Sequence, residues 1–117
     1  TPINSNGTCG FMPPEVPLSG FCEKTSTSHD IFSFGMLLVE LITLSEPFGP
    51  SSTTSTKHLA IQKGNLPDIQ NNLYNRYEFA VQLHKECCSY NPKNRPSIDV
   101  ILQKICARLK DYDEKNN

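Results

Sequence analysis

Any chemistry in this chain of 117 residues must come from a small set of side chains, and the thiols and imidazoles are the first to weigh. Cys9, Cys22, Cys87, Cys88 and Cys106 make an odd count of five, with no C-x-x-C pair, and adjacent Cys87 and Cys88 are poor partners for one another. Such a set reads as reduced, mostly buried thiols of a cytoplasmic protein, not as a disulfide framework. His29, His58 and His84 share no paired spacing with a cysteine, so no metal site is expected. Two charges invite a different question. Glu15 follows Pro13 and Pro14, and Arg95 lies in a tight turn between Asn94 and Pro96. By residue type alone they read as two independent surface charges.

The elements that would position these residues are helices. The run from Asp30 to Leu44 carries Ile31, Phe32, Phe34, Met36, Leu37, Leu38, Val39, Leu41, Ile42 and Leu44, which cover every face of a helix. A helix apolar all round must be surrounded, and this one is shorter than the roughly 20 apolar residues that a bilayer requires and is interrupted by Glu40. It therefore reads as the central helix of a globular core, over 26–44, with Ser26, Thr27 and Ser28 as candidate caps and Asp30 in its first turn. Gly35 within it costs ~1 kcal/mol relative to alanine, a cost that close approach of another backbone would offset. So short a chain has little material to wrap such a helix, and part of the domain is expected to lie outside it; the first residue, Thr1, is not a methionine.

Around this helix, residues 1–25 read as loop, punctuated by Pro2, Gly7, Gly10, Pro13, Pro14, Pro17 and Gly20, with at most one helical turn after Pro14. Residues 51–56 read as a polar loop, 57–63 as a short helix stopped by Gly64, 65–75 as irregular and 76–88 as a second long helix. Ile98, Ile101, Leu102, Ile105, Cys106 and Leu109 follow the helical repeat behind Ser97 as cap. Residues 111–117 read as a polar, solvated tail. No strand is expected, and the class is all-α for this piece.

Composition removes some functions. The net charge is −1 and the lysines and arginines are scattered, so no nucleic-acid footprint is present. No secretory or membrane-spanning segment is evident. Asn6-Gly7-Thr8 fits the glycosylation sequon, a pattern short enough to arise by chance.

Three segments then align in one order. Gly7-Thr8-Cys9-Gly10-Phe11-Met12-Pro13-Pro14-Glu15-Val16 resembles the end of a protein kinase activation segment, G-T-x-x-Y-M-A-P-E-V. Asp30-Ile31-Phe32-Ser33-Phe34-Gly35 resembles D-V-Y-S-F-G, the start of kinase helix F. Cys87-Cys88-Ser89-Tyr90-Asn91-Pro92-Lys93-Asn94-Arg95-Pro96-Ser97 resembles C-W-x-x-x-P-x-x-R-P-S, between helices H and I, and Glu46-Pro47-Phe48 falls where the family has P-F before helix G. Pro13, Phe11, Val39 and Cys88 depart from the usual alanine, tyrosine, tryptophan and tryptophan, which blurs the subfamily without displacing the family.

The resemblance implies the helical C-lobe portion of the protein kinase-like α+β fold. In it, 1–110 form a partial kinase domain: the end of the activation segment and P+1 loop at 1–25, helix F at 26–44, the helix G region at 45–75 and helices H and I at 76–109. It implies that Gly7, Thr8 and Met12 lie on the substrate side, in the P+1 loop. Thr8, where tyrosine-specific kinases usually carry proline, tilts the parent toward serine/threonine specificity within the tyrosine kinase-like group; a plain loop hydroxyl is the ordinary reading. It implies a structural ion pair between Glu15 and Arg95, and a role for Asp30 as anchor of the catalytic loop, where the ordinary reading is a first-turn aspartate on the helix dipole.

Phosphoryl transfer in this family uses a Gly-rich loop, a strand lysine, a catalytic-loop aspartate and a metal-binding D-F-G. The chain has no G-x-G-x-x-G, V-A-I-K, H-R-D or D-F-G. The expectation is a C-terminal kinase fragment that is inactive alone, with no catalytic, cofactor or metal residue of its own. Its parent would use ATP and Mg to phosphorylate serine or threonine (tyrosine as the lesser option) on proteins. Its partners would be the upstream N-lobe and catalytic loop and, in the parent, a protein substrate; its place would be the cytoplasm or the cytoplasmic side of a membrane-anchored parent. The alternatives are a non-catalytic helical interaction module derived from a kinase, or a piece of a pseudokinase.

Overall fold

The computed structural model describes residues 11–17, 19 and 26–116. Among them there are five α-helices, one 3₁₀ turn and no strand. The first helix, α1 (Thr27–Thr43), starts where Ser26 is extended, and the His29 amide donates to the Ser26 carbonyl at 3.0 Å. The Ser26 hydroxyl does not cap a backbone amide; it meets the Ser28 hydroxyl at 2.8 Å. The helix ends on Leu44, left-handed at φ 53°, whose amide closes back on the Glu40 carbonyl at 2.8 Å. Pro47 and Pro50 then forbid continuation.

α2 (Thr54–Gln62) begins three residues earlier than the apolar pattern predicts, because Thr53 caps it: its hydroxyl accepts from the Thr56 amide at 3.1 Å. Gly64, at φ 89°, closes the far end with its amide on the Ile61 carbonyl at 2.9 Å. The stretch read as irregular holds a short helix, α3 (Asn71–Arg76). It is separated by Tyr77, at φ −119°, ψ 40°, from α4 (Glu78–Cys87), which is the helix expected over 76–88. Pro14 is followed by a turn only, with the Val16 amide on the Pro13 carbonyl at 3.1 Å. A 3₁₀ turn, Pro92–Asn94, is capped by the Asn91 side chain, which accepts from the Lys93 amide at 3.0 Å. α5 (Ile98–Asn116) continues through the segment expected as a tail. Arg108 and Lys115 both pair with Asp111, at 3.6 and 3.3 Å, which gives the exposed polar end helical spacing of charges.

α1 is the axis of the core. Phe32, Met36 and Val39 pack with Ile61 of α2 and Cys88, covered by Phe11, Phe48, Leu66 and Ile69. Ile31 packs on another side with Leu83 and Cys87 of α4 and Ile101 of α5, covered by Phe34, Leu38, Phe79 and Ile105. Each such side chain contributes about 1.5–3 kcal/mol by burial. The approach of α4 to α1 is set by Gly35: a Cβ there would stand 2.5 Å from Cys88 Sγ and 2.9 Å from Cys87 Cβ. The glycine is what lets the two helices touch. Leu41 and Leu44, at the end of α1, are exposed.

Candidate functional site

Segment 11–16 is the part of the described structure with the most converging polar contacts. It has no helix or strand of its own, so its shape is imposed by the helices around it. From α1, the Ser33 hydroxyl donates to the Phe11 carbonyl at 2.9 Å. The Phe11 ring lies 6.5 Å from that of Phe48 and 5.8 Å from the Lys57 ammonium, which is itself paired with Glu46 at 2.8 Å. From α2, His58 Nε2 donates to the Val16 carbonyl at 2.7 Å, and the Gln62 amide joins it there at 3.2 Å.

The opposite side is closed by Arg95. Its Nη1 and Nη2 reach the two carboxylate oxygens of Glu15 at 2.7 and 2.9 Å, across 80 residues of chain. Its other N–H groups donate to the carbonyls of Ser28, Ser89 and Tyr90 at 3.1, 2.9 and 3.4 Å. All five guanidinium donors thus have an acceptor, and the group stacks 5.0 Å from the Phe32 ring. The Arg95 side chain is fully enclosed while that of Glu15 keeps 28% of its exposure. Partial burial raises the Glu15 carboxyl. The hydrogen bond from Arg95, a backbone hydrogen bond and the charges of Arg95 and His29 outweigh it, and the group ends below its ordinary 4.5. His29 Nε2 stands 3.5 Å from the same carboxylate.

Behind this segment lies a second polar contact. His84 of α4 donates Nδ1–H to the Gly35 carbonyl at 2.7 Å in the core. Burial holds its pKa below 6.5, against the opposing pull of that bond and with a smaller push from Lys85. The Cys88 thiol donates to the Phe32 carbonyl at 3.6 Å. Burial, with Cys87 beside it, pushes Cys88 far up; burial and Glu86 push Cys87 up to about 11. Neither is a nucleophile at neutral pH.

Of the residues singled out from sequence, Glu15 and Arg95 are in contact. Met12 is half-buried in the same segment. Asp30 is exposed in the first turn of α1. Gly7 and Thr8 lie outside the described residues. The reading missed Ser33, Lys57, His58, Gln62 and His84. The signal for α2 was present: Lys57, His58, Ile61 and Gln62 share a helical face on which most residues are polar.

Among the described residues no group of three or more His, Cys, Asp or Glu side chains is arranged to hold a metal ion. None of the family's nucleotide or metal motifs occurs in the 117 residues. Among the described residues, no helix is long and apolar enough to cross a membrane.

This helical base, with an irregular segment clamped across it, is the architecture of a kinase C-lobe piece, and the protein kinase domain family matches residues 2–105. The chain belongs to the protein kinase domain family and carries part of that domain. It is 35% identical over 100 residues to a probable serine/threonine-protein kinase of Dictyostelium discoideum, covering 85% of this chain and 8% of that protein. It is 33% identical to the kinase and exchange factor for Rac A of the same organism, over 93% of this chain and 8% of the relative. It is likewise 33% identical to mitogen-activated protein kinase kinase kinase 7 of Bos taurus, over 93% of this chain and 18% of the relative.

Proposed function

We propose that this chain is the substrate-side base of an active serine/threonine protein kinase, whose whole domain transfers the γ-phosphate of ATP to protein hydroxyls. The observation that carries the reading is the Arg95–Glu15 fork, which fixes the end of segment 11–16 to the turn before α5 with two bonds at 2.7 and 2.9 Å. A bidentate guanidinium–carboxylate pair sets direction as well as distance. Phosphoryl transfer is governed by placement of the acceptor hydroxyl. A loop meant to hold a peptide hydroxyl therefore needs this kind of support.

In this reading Gly7, Thr8 and Met12, which precede Glu15 in the chain, contact the protein substrate. Glu15 and Arg95 are structural, and Asp30 receives backbone amides of the catalytic loop at the exposed start of α1. ATP and Mg supply the phosphoryl group and neutralise its charge in parts of the domain that these residues do not include. The buried thiols Cys87 and Cys88 suit a cytoplasmic protein. The partners are a protein substrate and the remainder of the kinase domain.

The test uses the endogenous protein, captured with an antibody against residues 51–72 and incubated with ATP, Mg and a peptide library. The reading expects phosphoserine and phosphothreonine on the peptides. Absence of transfer, or phosphotyrosine alone, overturns it.

A further inference from the structure

α2 is held in an unusual way for a short surface helix. Three of its side chains are buried, Lys57, His58 and Ile61, and two of these are polar. Burying a polar group is unfavourable unless it is bonded, and the partners of both lie outside α2. Lys57 reaches Glu46 at 2.8 Å and the Phe11 ring at 5.8 Å. His58, 3% exposed, reaches the Val16 carbonyl at 2.7 Å. A carbonyl only accepts, so Nε2 carries the proton; Nδ1 is then buried with no partner. The imidazole gives up one of its two bonds in order to make the one to segment 11–16.

The hydrophobic effect is non-directional, whereas a buried hydrogen bond fixes direction and register. Gln62 adds a second donor to the same Val16 oxygen, at 3.2 Å, and its own carbonyl is anchored by the Tyr90 hydroxyl at 3.0 Å. The line from Tyr90 through α2 to Val16 is therefore polar at each junction. Segment 11–16 is gripped at Phe11 by Ser33 and Lys57, at Glu15 by Arg95 and at Val16 by His58.

We propose that α2 is a positioning element of the substrate-side loop, with His58 as the positioning residue that couples the helix to it. The proposal rests on the kinase reading above and deepens it: a shift of α2 changes how the protein substrate is held, and leaves the nucleotide end alone. His58 touches no reacting atom and acts through the Val16 carbonyl.

The test compares the full-length protein with its His58→Leu and His58→Gln variants. Leucine removes the donor; the glutamine amide replaces Nε2–H at similar reach. Peptide KM is expected to rise about five- to tenfold in His58→Leu, with ATP KM unchanged, and to recover in His58→Gln. Amide hydrogen exchange is expected to quicken in residues 11–16 of His58→Leu and to stay slow in α4. Equal loss toward ATP and peptide, no recovery with glutamine, or faster exchange throughout α4 marks His58 as general packing and overturns the proposal. A wild-type protein without transfer sinks the kinase reading alone, since the exchange pattern still decides whether His58 positions the segment.

Discussion

His84 and Gly35, 49 residues apart, share a buried 2.7 Å hydrogen bond at the point where α4 comes closest to α1. The absence of a side chain at Gly35 and the presence of an imidazole at His84 are two parts of one contact. The glycine admits the helix, and the histidine bonds the carbonyl left exposed to it. The same approach presses Cys87 and Cys88 against α1. The seam therefore defines the core from which segment 11–16 is supported.

Substituting Gly35→Ala tests that seam. Alanine improves helix propensity by ~1 kcal/mol, but its Cβ would meet Cys88 Sγ at 2.5 Å, Cys87 Cβ at 2.9 Å and the His84 carbonyl at 3.2 Å. Two of these three are a Cβ and a backbone oxygen, which move only with α4 itself. Overpacking of this kind costs about 1–3 kcal/mol, and a net loss of stability is expected in thermal or urea unfolding of the kinase domain. Unchanged or raised stability would mean that the helices are not in this contact.

The pH dependence follows from His84. Its folded pKa lies below the ordinary 6.5, so the unfolded chain binds the proton more readily than the folded one. The stability it contributes is fully present above 6.5 and is lost as pH falls toward the folded value. Glu15 acts in the same direction lower down: its contribution is present above 4.5 and is lost as pH falls through its depressed value. His84→Asn keeps a donor near Nδ1 and cannot titrate. The melting temperature of the wild type should fall between about pH 7.5 and about pH 5.5 more than that of the variant. Equal slopes would contradict the assignment.

Much of this architecture is legible in the sequence because burial leaves a compositional trace. The apolar residues around α1 announce a surrounded helix, and Gly35 within it announces a close neighbour, which the structure shows to be α4. The kinase segments are visible as ordered short runs. α3 is not visible, since Asn71–Arg76 has no apolar period and is fixed by its place beside α4. The extension of α5 is hidden for a similar reason: its last turns are polar and exposed. His58 is missed because a histidine flanked by lysine and leucine reveals nothing of a carbonyl 42 residues away.

Thiol chemistry separates the cysteines. Cys87 and Cys88 are buried and their pKa values are raised, whereas Cys106 is exposed on α5. Brief treatment of the native protein with iodoacetamide, followed by peptide mass analysis, should label Cys106 and spare Cys87 and Cys88. The latter two should react only after unfolding. Rapid native labelling of Cys88 would be incompatible with its place between Phe32 and His84.

The Arg95 fork has an asymmetric consequence. Arg95→Ala takes from Glu15 its bidentate partner and from the carbonyls of Ser28, Ser89 and Tyr90 the donor that Arg95 supplies. The expected cost is about 3 kcal/mol, the lower end of the range for a broken buried pair because Glu15 is partly exposed. Glu15→Gln should cost less, since the amide oxygen still accepts from Arg95. A double-mutant cycle in chemical unfolding checks the order, and equal costs would argue that the fork is not what holds the segment.

The most direct test of the account is transfer of the ATP γ-phosphate to serine/threonine peptides by the full-length protein and its Arg95→Ala variant, assayed side by side. The account predicts transfer by the wild type and a loss of about tenfold or more in the variant at a temperature where both remain folded. Equal transfer by the two proteins would show that the clamp does not position the substrate-side segment. No transfer by the wild type would contradict the kinase activity itself.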